Sequence, residues 1–299
     1  MMNGILPLWK PRGMTSHDCV ARIRKIYGTR KVGHTGTLDP EVEGVLAICI
    51  GQATKVVPFL TAMKKTYIVE CSLGKSTDTE DAYGKTIEET TIDRPLAIET
   101  INQTLALFRG EITQIPPMYS AVRVNGKRLY EYARANEEVV RPSRQVTIYE
   151  LENLTNELEH PPTFRMNVTC SEGTYMRTLC VDIGKKLGYP AHMSDLVRLE
   201  TSSFSAEETV TFADIENAQE RNEHEQLLVP ISRGLNNMDR LEVNEDVRRR
   251  VLHGQKFPQP EENLNTDPFL VMFNEELLAI YQTHPEDSEQ IKPVRVFNG

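Results

Sequence analysis

The chain has 299 residues, 39% hydrophobic and 26% charged, with a mean hydropathy of -0.42, which excludes disordered and fibrous classes and leaves room for one large and one small domain with ordinary cores. No apolar run approaches the ~18 residues of a membrane span, and Met1 to Lys10 lacks the basic leader and long apolar stretch of a signal peptide, so a cytoplasmic protein is expected. The net charge of -9 argues against a nucleic-acid partner only if charge is evenly spread. It is not: residues 1 to 60 carry eight basic against four acidic side chains, and a second basic cluster follows at Arg123, Lys127, Arg128 and Arg134.

In chain order, Thr15-Ser-His-Asp18 reads as a capping box opening a helix through Tyr27, with Val20, Ile23 and Tyr27 at helical spacing. Lys31 to Pro40 reads as a loop, by its two glycines and its Asp-Pro step, and Val45 to Ile50 as a buried strand. Thr66 to Leu73 alternates as a half-buried strand that turns Tyr67 inward. A helix through Ile101, Leu105 and Phe108 ends near Gly110, and Val124-Asn-Gly-Lys127 reads as a hairpin turn. Phe164 to Cys170 is a further strand; a helix capped by Thr174 then runs to Gly188. After a helical or linker stretch at 205–226, Phe269–Phe273 and Leu277–Tyr281 read as paired strands of a small β-rich unit, giving a division into 1–235 and 236–299. No continuous apolar seam is visible, which points to a monomer.

Three residues stand out. Asp39 precedes Pro40, an ordinary turn pair, but Gly33, His34, Thr35, Gly36 and Thr37 surround its one carboxylate with polar groups and close backbone. Arg177 falls in the first turn of its helix, where a cation opposes the macrodipole unless an anion is near; solvent exposure is the plainer alternative. Tyr67 is either a core tyrosine or a ring at a site. The seven histidines, His160 among them, make no i, i+4 pair, and the five cysteines no C-x-x-C, so no metal is expected; neither a Walker loop nor a dinucleotide fingerprint is present. A carboxylate able to do covalent work remains.

Gly33-His-Thr-Gly-Thr-Leu-Asp-Pro40 resembles the catalytic motif of the TruB family of pseudouridine synthases. Lys10-Pro-Arg-Gly-Met-Thr-Ser16, Gly51-Gln-Ala-Thr-Lys55, Lys65-Thr-Tyr67, Thr77-Asp-Thr-Glu-Asp81, Pro116-Pro-Met-Tyr-Ser-Ala121, Gly126-Lys-Arg-Leu-Tyr130 and Gly173-Thr-Tyr-Met-Arg-Thr-Leu179 resemble further family blocks, in family order. Trp9 and Arg123 depart from the usual acidic residue and lysine. The resemblance implies an α+β catalytic domain on a mixed, mainly antiparallel sheet and a PUA-like C-terminal module. It implies an isomerase that converts the T-arm uridine, position 55, of tRNA to pseudouridine without metal or cofactor. Asp39 would be the catalytic carboxylate, paired with Arg177, and Tyr67 would lie over the base. His34, Tyr175, Lys10, Arg123, Lys127 and Arg128 would bind the RNA. Two other readings stay open: a non-catalytic tRNA-binding or folding protein, and a hydrolase pairing Asp39 with Glu41 or Glu43.

Overall fold

A computed structural model describes residues 2–93, 96–158 and 162–298; Met1, His160 and Gly299 lie outside the described residues. Strand β1 (Gly4–Lys10) leads into α1 (Ser16–Ile26), and β2 (Val32–His34) and β3 (Glu43–Ile50) flank the loop of Asp39. Helix α2 (Val57–Thr61), strand β4 (Lys65–Leu73), the hairpin β5 (Lys75–Thr77) and β6 (Thr86–Glu89), helix α3 (Ile98–Ala106) and edge strand β7 (Gly110–Gln114) follow. A second hairpin, β8 (Arg123–Val124) and β9 (Lys127–Arg128), opens α4 (Leu129–Ala135); then come β10 (Arg144–Asn153), β11 (Thr163–Cys170), α5 (Met176–Leu187) and β12 (Ala191–Thr201). Beyond β13 (Phe204–Ser205), α6 (Phe212–Glu220) and α7 (Ile231–Gly234), the C-terminal part holds β14 (Arg240–Glu242), α8 (Glu245–Leu252), β15 (Phe257–Pro258), β16 (Phe269–Phe273), β17 (Glu276–His284) and β18 (Asp287–Val296).

Nine strands form the main sheet, in the order β1-β3-β12-β4-β11-β10-β7, with β2 added on β3 and β13 on β12. Only β3 and β12 run parallel; the other pairs are antiparallel, so the sheet is mixed and mainly antiparallel. Five strands form the second sheet, in the order β14-β16-β17-β18-β15.

Burial explains the two kinds of strand pattern. Strand β3 lacks alternation because both faces are covered: Leu46, Ile48 and Ile50 pack with α1, while Val45, Ala47 and Cys49 pack with Leu270, Met272 and Ile280 of the second sheet. Strand β4 alternates, with Tyr67, Val69, Cys71 and Leu73 buried against the α5 side chains Leu179, Cys180 and Ile183. Each fully buried aliphatic side chain contributes roughly 1.5–3 kcal/mol, so these faces fix the register. Leu235 shares an apolar cluster with Leu270, Met272 and Ile280, so the second sheet docks on the first through a common core.

The capping box at Thr15 forms as read, and Asn125 and Gly126 take the positive φ of a tight hairpin turn. Two expectations need correction. The loop from Lys31 is interrupted by β2, which adds three residues to the edge of β3. Helix α5 is capped at Tyr175, not Thr174, whose hydroxyl turns back to the Ser171 carbonyl.

Candidate active site

The loop between β2 and β3 is held along its backbone by groups from three elements. The Ser16 hydroxyl, at the start of α1, accepts from Leu38 N–H at 2.9 Å and donates to the Leu38 carbonyl at 3.3 Å. Thr35 N–H reaches the Ala47 carbonyl and Gly13 N–H the Pro40 carbonyl, at 3.2 and 2.9 Å. Lys10, at the end of β1, is fully buried, and its ammonium donates to the carbonyls of Pro11, Pro40 and Val42 at 2.8, 3.2 and 2.6 Å. All three donors are therefore in use on backbone carbonyls, and this lysine holds the loop from beneath. Burial lowers its pKa, opposed by nearby Cys19, Asp39 and Glu41.

Asp39 is presented at the top of this loop, facing α5. Its Oδ2 lies 3.1 Å from Arg177 Nε and its Oδ1 3.5 Å from Nη2, a two-point contact. The remaining donors of Arg177 reach the carbonyls of Thr79 and Tyr119, each at 3.1 Å, and Asp81 Oδ2 is 3.9 Å from Nη1. The guanidinium is 7% exposed and the Asp39 carboxylate 41%, so the arginine forms the floor and the carboxylate offers an open face. Burial raises the pKa of Asp39; Arg177 and Lys10 oppose that rise and Asp81 adds to it. The net direction is upward, so Arg177 offsets only part of the cost of burying this carboxylate.

Tyr67 is buried on β4 directly opposite Arg198 of β12 in the strand register. Arg198 is itself 1% exposed; Nε donates to the Val45 carbonyl at 2.7 Å and Nη2 to the Gly36 carbonyl at 3.2 Å. One buried cation on β12, the neighbour of β4, thus holds β3 and the Asp39 loop. Gly44 makes this packing possible: at φ +127 it lies against the Arg198 backbone, which any Cβ there would overlap. Burial pushes the Tyr67 pKa up, with Arg198 opposing and Asp39 adding to the rise, so the ring carries a neutral phenol.

His34 is half-buried, and its Nδ1 accepts from Gly36 N–H at 3.3 Å. Burial and Arg198 lower its pKa, keeping the ring neutral. The Tyr175 ring is half-exposed, with the Arg144 guanidinium 5.4 Å above it. Arg123 and Lys127 are exposed on the hairpin whose leading segment supplies the Tyr119 carbonyl. Lys127 is paired with Glu137, and Arg128 donates to the Tyr130 hydroxyl at 2.8 Å. Glu43 is held by Arg12 and Trp9, which leaves it no part in an acid and base pair with Asp39. Asp81 and Arg198 belong to the site and were not singled out by sequence; Asp81 lies in the block Thr77–Asp81, and Arg198 carries no local signal.

Two consecutive family models match the sequence, together spanning residues 24–241. Residues 24–176 match the N-terminal domain of TruB family pseudouridylate synthase, and residues 177–241 the C-terminal domain of tRNA pseudouridylate synthase B. The protein is a pseudouridine synthase, an isomerase. Among curated relatives, the tRNA pseudouridine synthase B of Oceanobacillus iheyensis is 57% identical, over 99% of this chain and 98% of its own length. That of Halalkalibacterium halodurans is 52% identical, over 99% of this chain and 97% of its own. A solved structure described as a Cbf5-Nop10-Gar1 complex aligns with all of this chain and 84% of its own, at a TM-score of 0.75 and 26% identity. The chain belongs to the TruB family.

Proposed function

We propose that this chain converts uridine 55 in the T arm of tRNA to pseudouridine, with Asp39 as the group that acts on the sugar. The observation that carries the residue assignment is the asymmetry of the Asp39–Arg177 pair: a buried guanidinium orients an ionisable carboxylate whose other face is open. The names of the curated relatives supply the substrate class.

The reaction breaks N1–C1′, turns the base, joins C5 to C1′ and moves the C5 proton away while N1 gains one. Asp39 meets the need for a carboxylate either by adding to C1′ or by removing the 2′ proton. Arg177 keeps that carboxylate oriented and favours its charged form. Tyr67 lies over the base and acts at the C5 proton directly or through water. His34 supports the loop that takes the uridine out of its stack, since a stacked base cannot be reached otherwise. Tyr175, Arg123, Lys127 and Arg128 contact the RNA. The catalytic unit spans 1–235 and the PUA-like unit 236–299, and the protein works as a cytoplasmic monomer.

The test is a tRNA transcript labelled at uridine C5, incubated with the pure protein and mapped for pseudouridine. Label release confined to position 55 is expected, and a transcript with cytidine there should release none above background. Modification elsewhere would contradict the T-arm assignment, and binding without release would return the RNA-folding alternative.

A further inference from the structure

We infer that Gln114 is a positioning residue for the Asp39–Arg177 pair, acting through the start of helix α5. The inference rests on the catalytic reading of that pair. Helix α5 has no side-chain cap of its own, because Tyr175 makes no capping bond and Thr174 bonds backwards to Ser171. Its start is fixed from 61 residues earlier. Gln114, the last residue of β7, is fully buried, and its carboxamide directs both of its functions to one residue. Oε1 accepts from Tyr175 N–H at 2.9 Å, and Nε2 donates to the Tyr175 carbonyl at 3.1 Å.

The geometry accounts for the residue type. Tyr175 is extended, at φ -98 and ψ 111, so its N–H and C=O project to the same side as in a strand. A planar carboxamide pairs with both as a neighbouring strand would, and Asn in its place would be one methylene short. Glutamate offers the acceptor without the donor when ionised, and methionine fills the volume with neither. Arg177 is the second residue of this helix, so any shift at Tyr175 passes to its guanidinium. The Tyr119 carbonyl, which accepts from Arg177 Nη2, belongs to the same connection that leaves Gln114. That segment therefore grips α5 by its backbone at one end and Arg177 by its tip at the other.

The test measures single-turnover rate and tRNA affinity for Gln114→Met and Gln114→Glu, each alone and combined with Arg177→Met. Because a displacement of about 1 Å at a reacting group can cost ~100-fold, each single change should lower the rate by about tenfold or more with affinity within about threefold. In Gln114→Met, the acidic limb of the rate profile should move to higher pH, since Asp39 loses part of its cation. In the Arg177→Met background, the further loss should be under about threefold, because the residue through which Gln114 acts is gone. An equal fold-loss in both backgrounds, or a loss of affinity alone, would overturn the inference and make Gln114 a fold or RNA-binding residue. If Arg177→Met alone left the rate intact, the reading of the pair would fail and carry this inference with it, a distinct result. Should Gln114→Met fail to fold, the isosteric Gln114→Glu carries the same comparison, and a wild-type rate there overturns it.

Discussion

Around the Asp39 loop the cations are buried and hydrogen-bonded to backbone, Lys10 to three carbonyls and Arg198 to those of Gly36 and Val45. On the β8–β9 hairpin, Arg123 and Lys127 stand exposed, and their contacts lie within the hairpin region itself: Arg123 to the Gly126 carbonyl, Lys127 to Glu137. The same side-chain charge thus does two jobs. Buried, it satisfies backbone carbonyls and gives the Asp39 loop one shape; exposed, it leaves a positive charge at the surface. Arg177 stands between the two cases, since it holds two carbonyls and also meets the one carboxylate with an open face.

That contrast is broken most severely at the carboxylate. Asp39→Asn keeps the shape and the turn with Pro40 but removes both nucleophile and base, so pseudouridine formation should fall by about four or more powers of ten. Binding of unmodified tRNA should change by less than about tenfold, equivalent to ~1.4 kcal/mol. Single-turnover label release with a binding control checks both. Activity near the wild-type level in a folded variant would return Asp39 to a mere turn residue.

Lys10→Met tests the buried half. It leaves the Pro11 and Val42 carbonyls without a donor, Pro40 keeping Gly13 N–H, and unsatisfied buried groups cost roughly 1–3 kcal/mol each, so a net destabilisation of about 2–4 kcal/mol is expected by denaturant titration. Affinity for tRNA at saturating folded protein should stay within about threefold, because no donor of Lys10 is free for phosphate. A stable variant that bound tRNA poorly would move Lys10 to the exposed class.

On the hairpin, neutralising Arg123, Lys127 and Arg128 together should weaken tRNA binding and reduce the salt slope of log Kd by about 2. The value is below three because Glu137 already offsets Lys127, so Lys127→Gln alone should have the smallest share. An unchanged slope would show that these cations face away from the RNA.

Much of the fold was legible because its signals are local: the alternation of Thr66 to Leu73, the box at Thr15, the Asn125-Gly126 turn. Of the site, Asp39 and Arg177 could be singled out, one by the glycines around it and one by a cation set against a helix dipole. Arg198 and Gln114 could not. Their importance lies in partners more than sixty residues distant, Arg198 with Val45 and Gln114 with Tyr175, and a single chain of letters shows neither separation nor burial. The surroundings of Lys10 were hidden for the same reason. Its position in the Lys10-Pro11 block suggests an RNA contact, and only the double-sided burial of β1 and β3 turns the ammonium inward.

On the proposed reading, Arg177 acts on the Asp39 carboxylate and not on the RNA. Its most direct test is the pH dependence of single-turnover label release for wild type and Arg177→Met, with tRNA affinity measured in parallel. Arg177 lowers a pKa that burial raises, so its loss should push the carboxylate further up and move the acidic limb to higher pH. That shift is expected together with a rate loss of about 100-fold or more and affinity within about threefold. An unmoved limb, with rate and affinity falling together, would contradict it and make Arg177 a phosphate contact.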